Sequence, residues 1–176
     1  MQIICHRINT LEQLSQLKTS DGAEVDVRYH LDDLILHHDP FQHYANNPLQ
    51  LESFLKSWYC KGPLILNLKS EGIEAKCIDL MTKYNISNWF FLDMSMPFFV
   101  NHSIQSELKS IEGFGPENLA VRFSDFEPID YAIAFKHRVN WAWVDTFRDF
   151  PLSAEKYTEL KEAGFKICLV SPELQG

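Results

Sequence analysis

Short apolar runs alternate with helix-period patterns along the whole chain, which forces the strands to lie parallel, each joined to the next through a helix. Ile3–His6 reads as a first strand, followed by a helix on Leu11, Leu14 and Leu17 that Asn9 or Thr10 can cap. Ala23–Arg28 is the second strand, extended by a hairpin that turns at Asp32-Asp33 and returns to Leu36. Further strands are expected at Leu64–Leu68, Trp89–Leu92, Ala120–Phe123, Trp141–Val144 and Lys166–Val170. Helices are expected around Leu51 to Trp58, at Glu74–Tyr84, Val100–Ser110 and Pro128–Phe135, and at Ala154–Ala163 between a Ser153 cap and a Gly164 stop. Seven parallel strands plus the hairpin make an α/β fold, a TIM-type (β/α) barrel that is incomplete or shortened. A full barrel takes about 200 residues or more, and this chain has 176. An open seven-stranded sheet with helices on both faces is the alternative, and the length suits a single domain over residues 1–176.

Sixteen Lys and Arg against 24 Asp and Glu leave a net charge of -8, which argues against a phosphate-backbone footprint and therefore against nucleic acid as a partner. No stretch reaches the length of a membrane span, and the N-terminal residues lack a secretory apolar run, so a cytoplasmic location is expected. Cys5, Cys60, Cys77 and Cys168 lack CxxC spacing and sit in apolar patterns, so neither a disulfide framework nor a zinc site is indicated.

The polar residues fall in a pattern of their own. Glu24, Asp26 and Arg28 alternate with Val25 and Val27, so one pleat face carries three charges. The hairpin brings His37-His38-Asp39 back towards those carboxylates. Other strands end in polar groups as well: His6, Asn67 with Lys69, Asp93, Arg122, Asp145 and Ser171. In a barrel that end carries the site, and buried charges there must be paired or bound to metal. Such a mouth can hold an anion and a hard cation together, with Trp143 and Asp145 on one face as a wall of the substrate pocket. His30, His37, His43, His102 and His137 are expected at the surface or in loops, and the aromatic pairs Phe90-Phe91 and Phe98-Phe99 in the core.

At these positions the chain resembles the glycerophosphodiester phosphodiesterases, which share a barrel with bacterial phosphatidylinositol phospholipases C and sphingomyelinase D. His6-Arg7 and the segment from Asn9 match the family's His-Arg-Gly and Glu-Asn-Thr; Glu24, Asp26, His38 and Asp39 match its second strand and hairpin; Leu66-Asn67-Leu68-Lys69 matches Leu-Glu-Ile-Lys. The family's glycine is missing, Ile8 stands in place of one glutamate, and Asn67 replaces the third-strand glutamate. The resemblance implies hydrolysis of a glycerophosphodiester or related small phosphodiester, with His6 and His38 as general base and acid. It implies a weakly held Mg²⁺ or Ca²⁺ on Glu24, Asp26 and Asn67, with Arg7, Arg28 and Lys69 towards the phosphate and Asp39 orienting a histidine. Two other readings stay open: a metal-independent phosphodiester lyase, and a degenerate barrel that binds a phosphorylated or sugar ligand without turning it over.

Overall fold

The computed structural model describes residues 2–40 and 48–171; His43 lies outside them. The elements run β1 (Ile4–Cys5), α1 (Leu11–Ser15), β2 (Gly22–His30), β3 (Asp33–Leu36), α2 (Leu51–Lys56), β4 (Leu64–Leu68), α3 (Glu74–Lys83), β5 (Trp89–Leu92), α4 (Met96–Leu108), β6 (Ala120–Phe123), α5 (Ile129–Ile133), β7 (Trp141–Val144), α6 (Ala154–Glu162) and β8 (Lys166–Leu169). The chain divides into two units, Met1–Phe98 and Phe99–Gly176.

In the first unit β1, β2, β4 and β5 lie parallel in that order, and β3 pairs antiparallel with β2. Val25, Leu66 and Phe91 are neighbours in the ladder and fully buried, so one face of the sheet is a dry core. Burying side chains of this size contributes about 1.5–3 kcal/mol each. On the opposite face Glu24 pairs in register with Ile65, and Ile65 with Phe90, while Asp26 pairs with Asn67, and Asn67 with Leu92. Gly22 opens β2 where a Cβ would stand 2.5 Å from the Pro63 carbonyl oxygen, a close approach only glycine allows.

Local chemistry sets the ends. Thr10, rather than Asn9, caps α1: its hydroxyl accepts from the Gln13 N–H, and the Gln13 side chain accepts from the backbone of both Asn9 and Thr10. The hairpin turns at Leu31 and Asp32, one residue earlier than expected, because both adopt positive φ (47° and 70°) and their twist matches the flanking strands. Helix α4 begins at Met96 rather than Val100, since Pro97 falls in its first turn, where a missing N–H costs nothing.

In the second unit β6, β7 and β8 lie parallel in chain order. Ser153 caps α6 by accepting from the Lys156 N–H, and Gly164 ends it at φ +93°. His102 corrects the surface expectation: it is 8% exposed in α4 and packs edge-on to Phe114. All four cysteines are free thiols, and burial pushes Cys168 up to about 12. Among the described residues no helix is long and apolar enough to cross a membrane.

Candidate active site

The site is built where β1, β2 and β4 end. After Cys5 the chain leaves the β1–β2 ladder through His6 and Arg7, then rejoins it when the Ile8 N–H donates to the Glu24 carbonyl at 2.8 Å. The excursion needs Arg7 at φ 54°, a left-handed conformation that costs a non-glycine side chain free energy and that collects at functional sites. What it achieves is local: the Arg7 N–H donates to Glu24 Oε2 at 2.7 Å, and His6 Nε2 stands 3.5 Å from the same oxygen.

Asn9 then takes the place of the next strand residue. Its side-chain oxygen accepts the Asp26 N–H at 2.9 Å, and its Nδ2 donates to Asp26 Oδ2 at 2.8 Å. Glu24 and Asp26 are thereby fixed while essentially inaccessible, at 1% and 0% exposure. Burial, then the Asp26 charge, pushes the Glu24 carboxyl above its ordinary range; the Arg7 N–H, the Asn67 amide and Lys69 oppose the shift.

Lys69 follows β4 and places its ammonium 3.5 Å from Asp26 Oδ1 and 3.7 Å from Asp93 Oδ2. Asp93, just past β5, also holds positive φ (60°). Three oxygens are left over. Glu24 Oε1, Asp26 Oδ1 and Asn67 Oδ1 are buried and have no hydrogen-bond donor, although a buried acceptor without a partner is costly. All three residues lie on one face of neighbouring strands in register. Two carboxylate oxygens and an amide oxygen form the donor set that hard divalent cations accept, so these residues fit such an ion. Among the described residues no group of three or more His, Cys, Asp or Glu could hold a metal, so the third ligand would have to be the Asn67 amide.

The hairpin delivers His38. The His37 N–H donates to the Asp26 carbonyl at 2.9 Å, which registers the segment past β3 against the carboxylate strand. His38 Nδ1 lies 2.9 Å from Asp39 Oδ1, and that partner holds Asp39 below the usual carboxylate range. His38, Arg7, Lys69 and Asp26 are all within electrostatic reach of His6. Burial above all, then the Arg7 charge, lowers the His6 pKa, and the Asp26 charge only partly offsets them. At neutral pH His6 is therefore a neutral imidazole with a lone pair to offer.

Arg28 sits elsewhere than at a phosphate. Its Nε donates to the His37 carbonyl at 3.1 Å, Nη2 to the His38 carbonyl at 2.7 Å and Nη1 to the Lys69 carbonyl at 3.2 Å. It stitches together the two segments that carry His38 and Lys69. The first unit thus gathers His6, Arg7, Glu24, Asp26, Arg28, His38, Asp39, Asn67 and Lys69. Trp143 and Asp145 belong to the second unit: Trp143 is a buried register partner of Arg122, and Asp145 lies 3.7 Å from the Arg122 guanidinium. Asn9 was absent from the expected site; the signal available was its place in the Asn-Thr match, which read only as a helix start.

No family model matches the chain, and no curated protein matches it by sequence. A crystal structure of glycerophosphodiester phosphodiesterase from Agrobacterium tumefaciens is similar in structure, with a TM-score of 0.66 at 15% identity over 96% of this chain and 86% of that one.

Proposed function

We propose that this chain, an α/β fold of the TIM-barrel type whose described strands pair as two separate sheets, hydrolyses a small phosphodiester of the glycerophosphodiester class with His6 and His38 as the proton-transfer pair. The observation that carries this reading is that His6, within electrostatic reach of His38, stands beside two buried carboxylates and an amide, each with one oxygen that accepts no hydrogen bond. His6, kept neutral, accepts the proton of the attacking water as its oxygen bonds to phosphorus. The phosphorus–oxygen bond to the leaving alcohol breaks, and His38, held through Nδ1 by Asp39, returns a proton to that alcohol. Arg7, exposed beside His6, and Lys69 face the charge that grows on the phosphoryl oxygens. Glu24, Asp26 and Asn67 would hold a divalent cation, which would supply Lewis-acid stabilisation of the charge on the phosphoryl group. Arg28 acts beneath the site by holding the His38 and Lys69 segments.

Lys69 favours a second reading. Its ammonium already stands between Asp26 and Asp93, so a built-in cation could serve a lyase that needs no metal. Phosphorus NMR of a glycerophosphodiester incubated with the protein separates the two. Hydrolysis gives a phosphomonoester and stops with EDTA; a cyclic phosphodiester that forms equally well in EDTA supports the lyase; no conversion at all defeats both enzymatic readings.

A further inference from the structure

The segment between β1 and α1 treats Glu24 and Asp26 alike. One oxygen of each is committed to a hydrogen bond from that segment: Glu24 Oε2 to the Arg7 N–H, Asp26 Oδ2 to Asn9 Nδ2. The other oxygen of each is buried and accepts no hydrogen bond, Asp26 Oδ1 having only the Lys69 ammonium at 3.5 Å. Asn67, as an amide, has a single oxygen to give, and it too lacks a donor. The donor set is therefore three open oxygens from three residues, with the second oxygen of each carboxylate already engaged by the segment.

Resting on the metal-dependent reading above, we infer that Arg7 and Asn9 make this site selective for Mg²⁺ over Ca²⁺, with Asn9 as the positioning residue. Mg²⁺ is small, takes six ligands in a near-ideal octahedron and keeps several waters, so one oxygen from each of a few side chains suits it. Ca²⁺ takes six to eight oxygens and gains from carboxylates that bind through both. Chelation by Asp26 would have to share Oδ2 with the Asn9 Nδ2 donor and turn the carboxylate within the clasp that also holds the Asp26 N–H on Asn9 Oδ1. The reciprocal clasp is what makes the restriction stiff, because neither half can be released alone. Arg7 contributes through its backbone, held at φ 54°, so only the Asn9 half is open to side-chain substitution.

The test is calorimetric titration of the full chain with MgCl₂ and separately with CaCl₂, on wild type, Asn9→Ala and Asn9→Ser. Asn9→Ser keeps a small neutral polar group but is too short to donate to Asp26 Oδ2, so it serves if the alanine variant folds poorly. Wild type is expected to bind Mg²⁺ more tightly than Ca²⁺. Loss of a residue that orients a ligand weakens metal affinity by about 10- to 100-fold, and the loss should fall on Mg²⁺. In both variants the ratio of the two dissociation constants should move towards Ca²⁺ by about tenfold or more. Wild type that binds Ca²⁺ more tightly, or a ratio unchanged in both variants, overturns the inference and leaves the metal site standing. Wild type that binds neither ion overturns the metal-dependent reading and the inference with it.

Discussion

The two units use polar residues at their strand ends in opposite ways. In Met1–Phe98 the carboxylates are buried and half-satisfied: one oxygen of Glu24 and one of Asp26 accept hydrogen bonds, and the other oxygen of each accepts none, Asp26 Oδ1 having only the Lys69 ammonium at 3.5 Å. In Phe99–Gly176 the corresponding groups are consumed in ordering loops. Asp125, past β6, accepts the N–H groups of Phe147, Arg148 and Asp149 from the segment past β7. Ser124 accepts from the Phe126 and Glu127 N–H groups while donating to the Glu127 carboxylate at 2.6 Å. Among the described residues the buried carboxylate oxygens without a donor all lie in the first unit; in the second, Gln105 and Thr146 each leave one uncharged oxygen unpaired. A satisfied carboxylate is explained by the loop it holds. A buried one left open, at a cost to folding, is explained by something it is there to meet.

The largest expected effect is on chemistry in the first unit alone. His6→Ala and His38→Ala should each lower turnover by at least about 10²-fold with melting temperatures close to wild type. Asp125→Ala should do the reverse, lowering the melting temperature with turnover unchanged. Steady-state rates and thermal melts of the three variants decide it, and a chemical effect from Asp125 would erase the contrast between the units.

Next in size is Arg28. Its three hydrogen bonds to main-chain carbonyls are charge-assisted, so Arg28→Ala should destabilise the protein by about 2–4 kcal/mol in urea unfolding. Activity should fall with stability, because the same carbonyls fix the His38 and Lys69 segments. Lost activity at full stability would return Arg28 to a direct contact with phosphate.

Asn67→Glu sharpens the argument from open oxygens. A third carboxylate adds Coulomb attraction to a dication and should tighten Mg²⁺ binding by about tenfold. Without metal three carboxylates would face one another, so the melting temperature of the metal-free protein should fall and its rise on adding Mg²⁺ should grow. Unchanged affinity would mean that Asn67 does not address the ion.

The smallest effect lies away from the site. Glu52 on α2 accepts from Lys83 and Tyr84 at 2.6 and 2.7 Å, which holds its pKa down at about 2. A carboxylate whose pKa is depressed on folding stabilises the native state above its unfolded pKa, and that contribution is lost as pH falls towards the folded value. Glu52→Gln should therefore flatten the loss of stability between about pH 4.5 and pH 2 and leave turnover at neutral pH alone. Acid-unfolding curves that superimpose would show the exposed bonds to be worthless in solution.

Much of this is legible in the sequence. The two-residue period of Glu24, Asp26 and Arg28, with valines between them, is enough to place charges on one strand face, and the strands came out at or within one or two residues of their expected bounds. The choices that escaped were those made between side chains and distant main chain. Arg28 looked like an anion ligand because its three carbonyl partners come from segments that only tertiary structure assembles. Asn9 looked like a cap because both it and Thr10 suit that position; the Gln13 side chain decided for Thr10 and released Asn9 for Asp26. The sequence leaves His102 at the surface because one imidazole in a helix of weak amphipathic pattern carries no sign of which side it faces. The turn at Leu31 was displaced because a leucine at positive φ is not what turn preferences select.

The most direct test of the central claim is the rate at which the protein releases the alcohol from a glycerophosphodiester in Mg²⁺, measured for wild type, for wild type in EDTA and for His6→Ala. The account predicts turnover by wild type, its loss in EDTA, and a fall of at least about 10²-fold in His6→Ala. Equal rates in all three would contradict it.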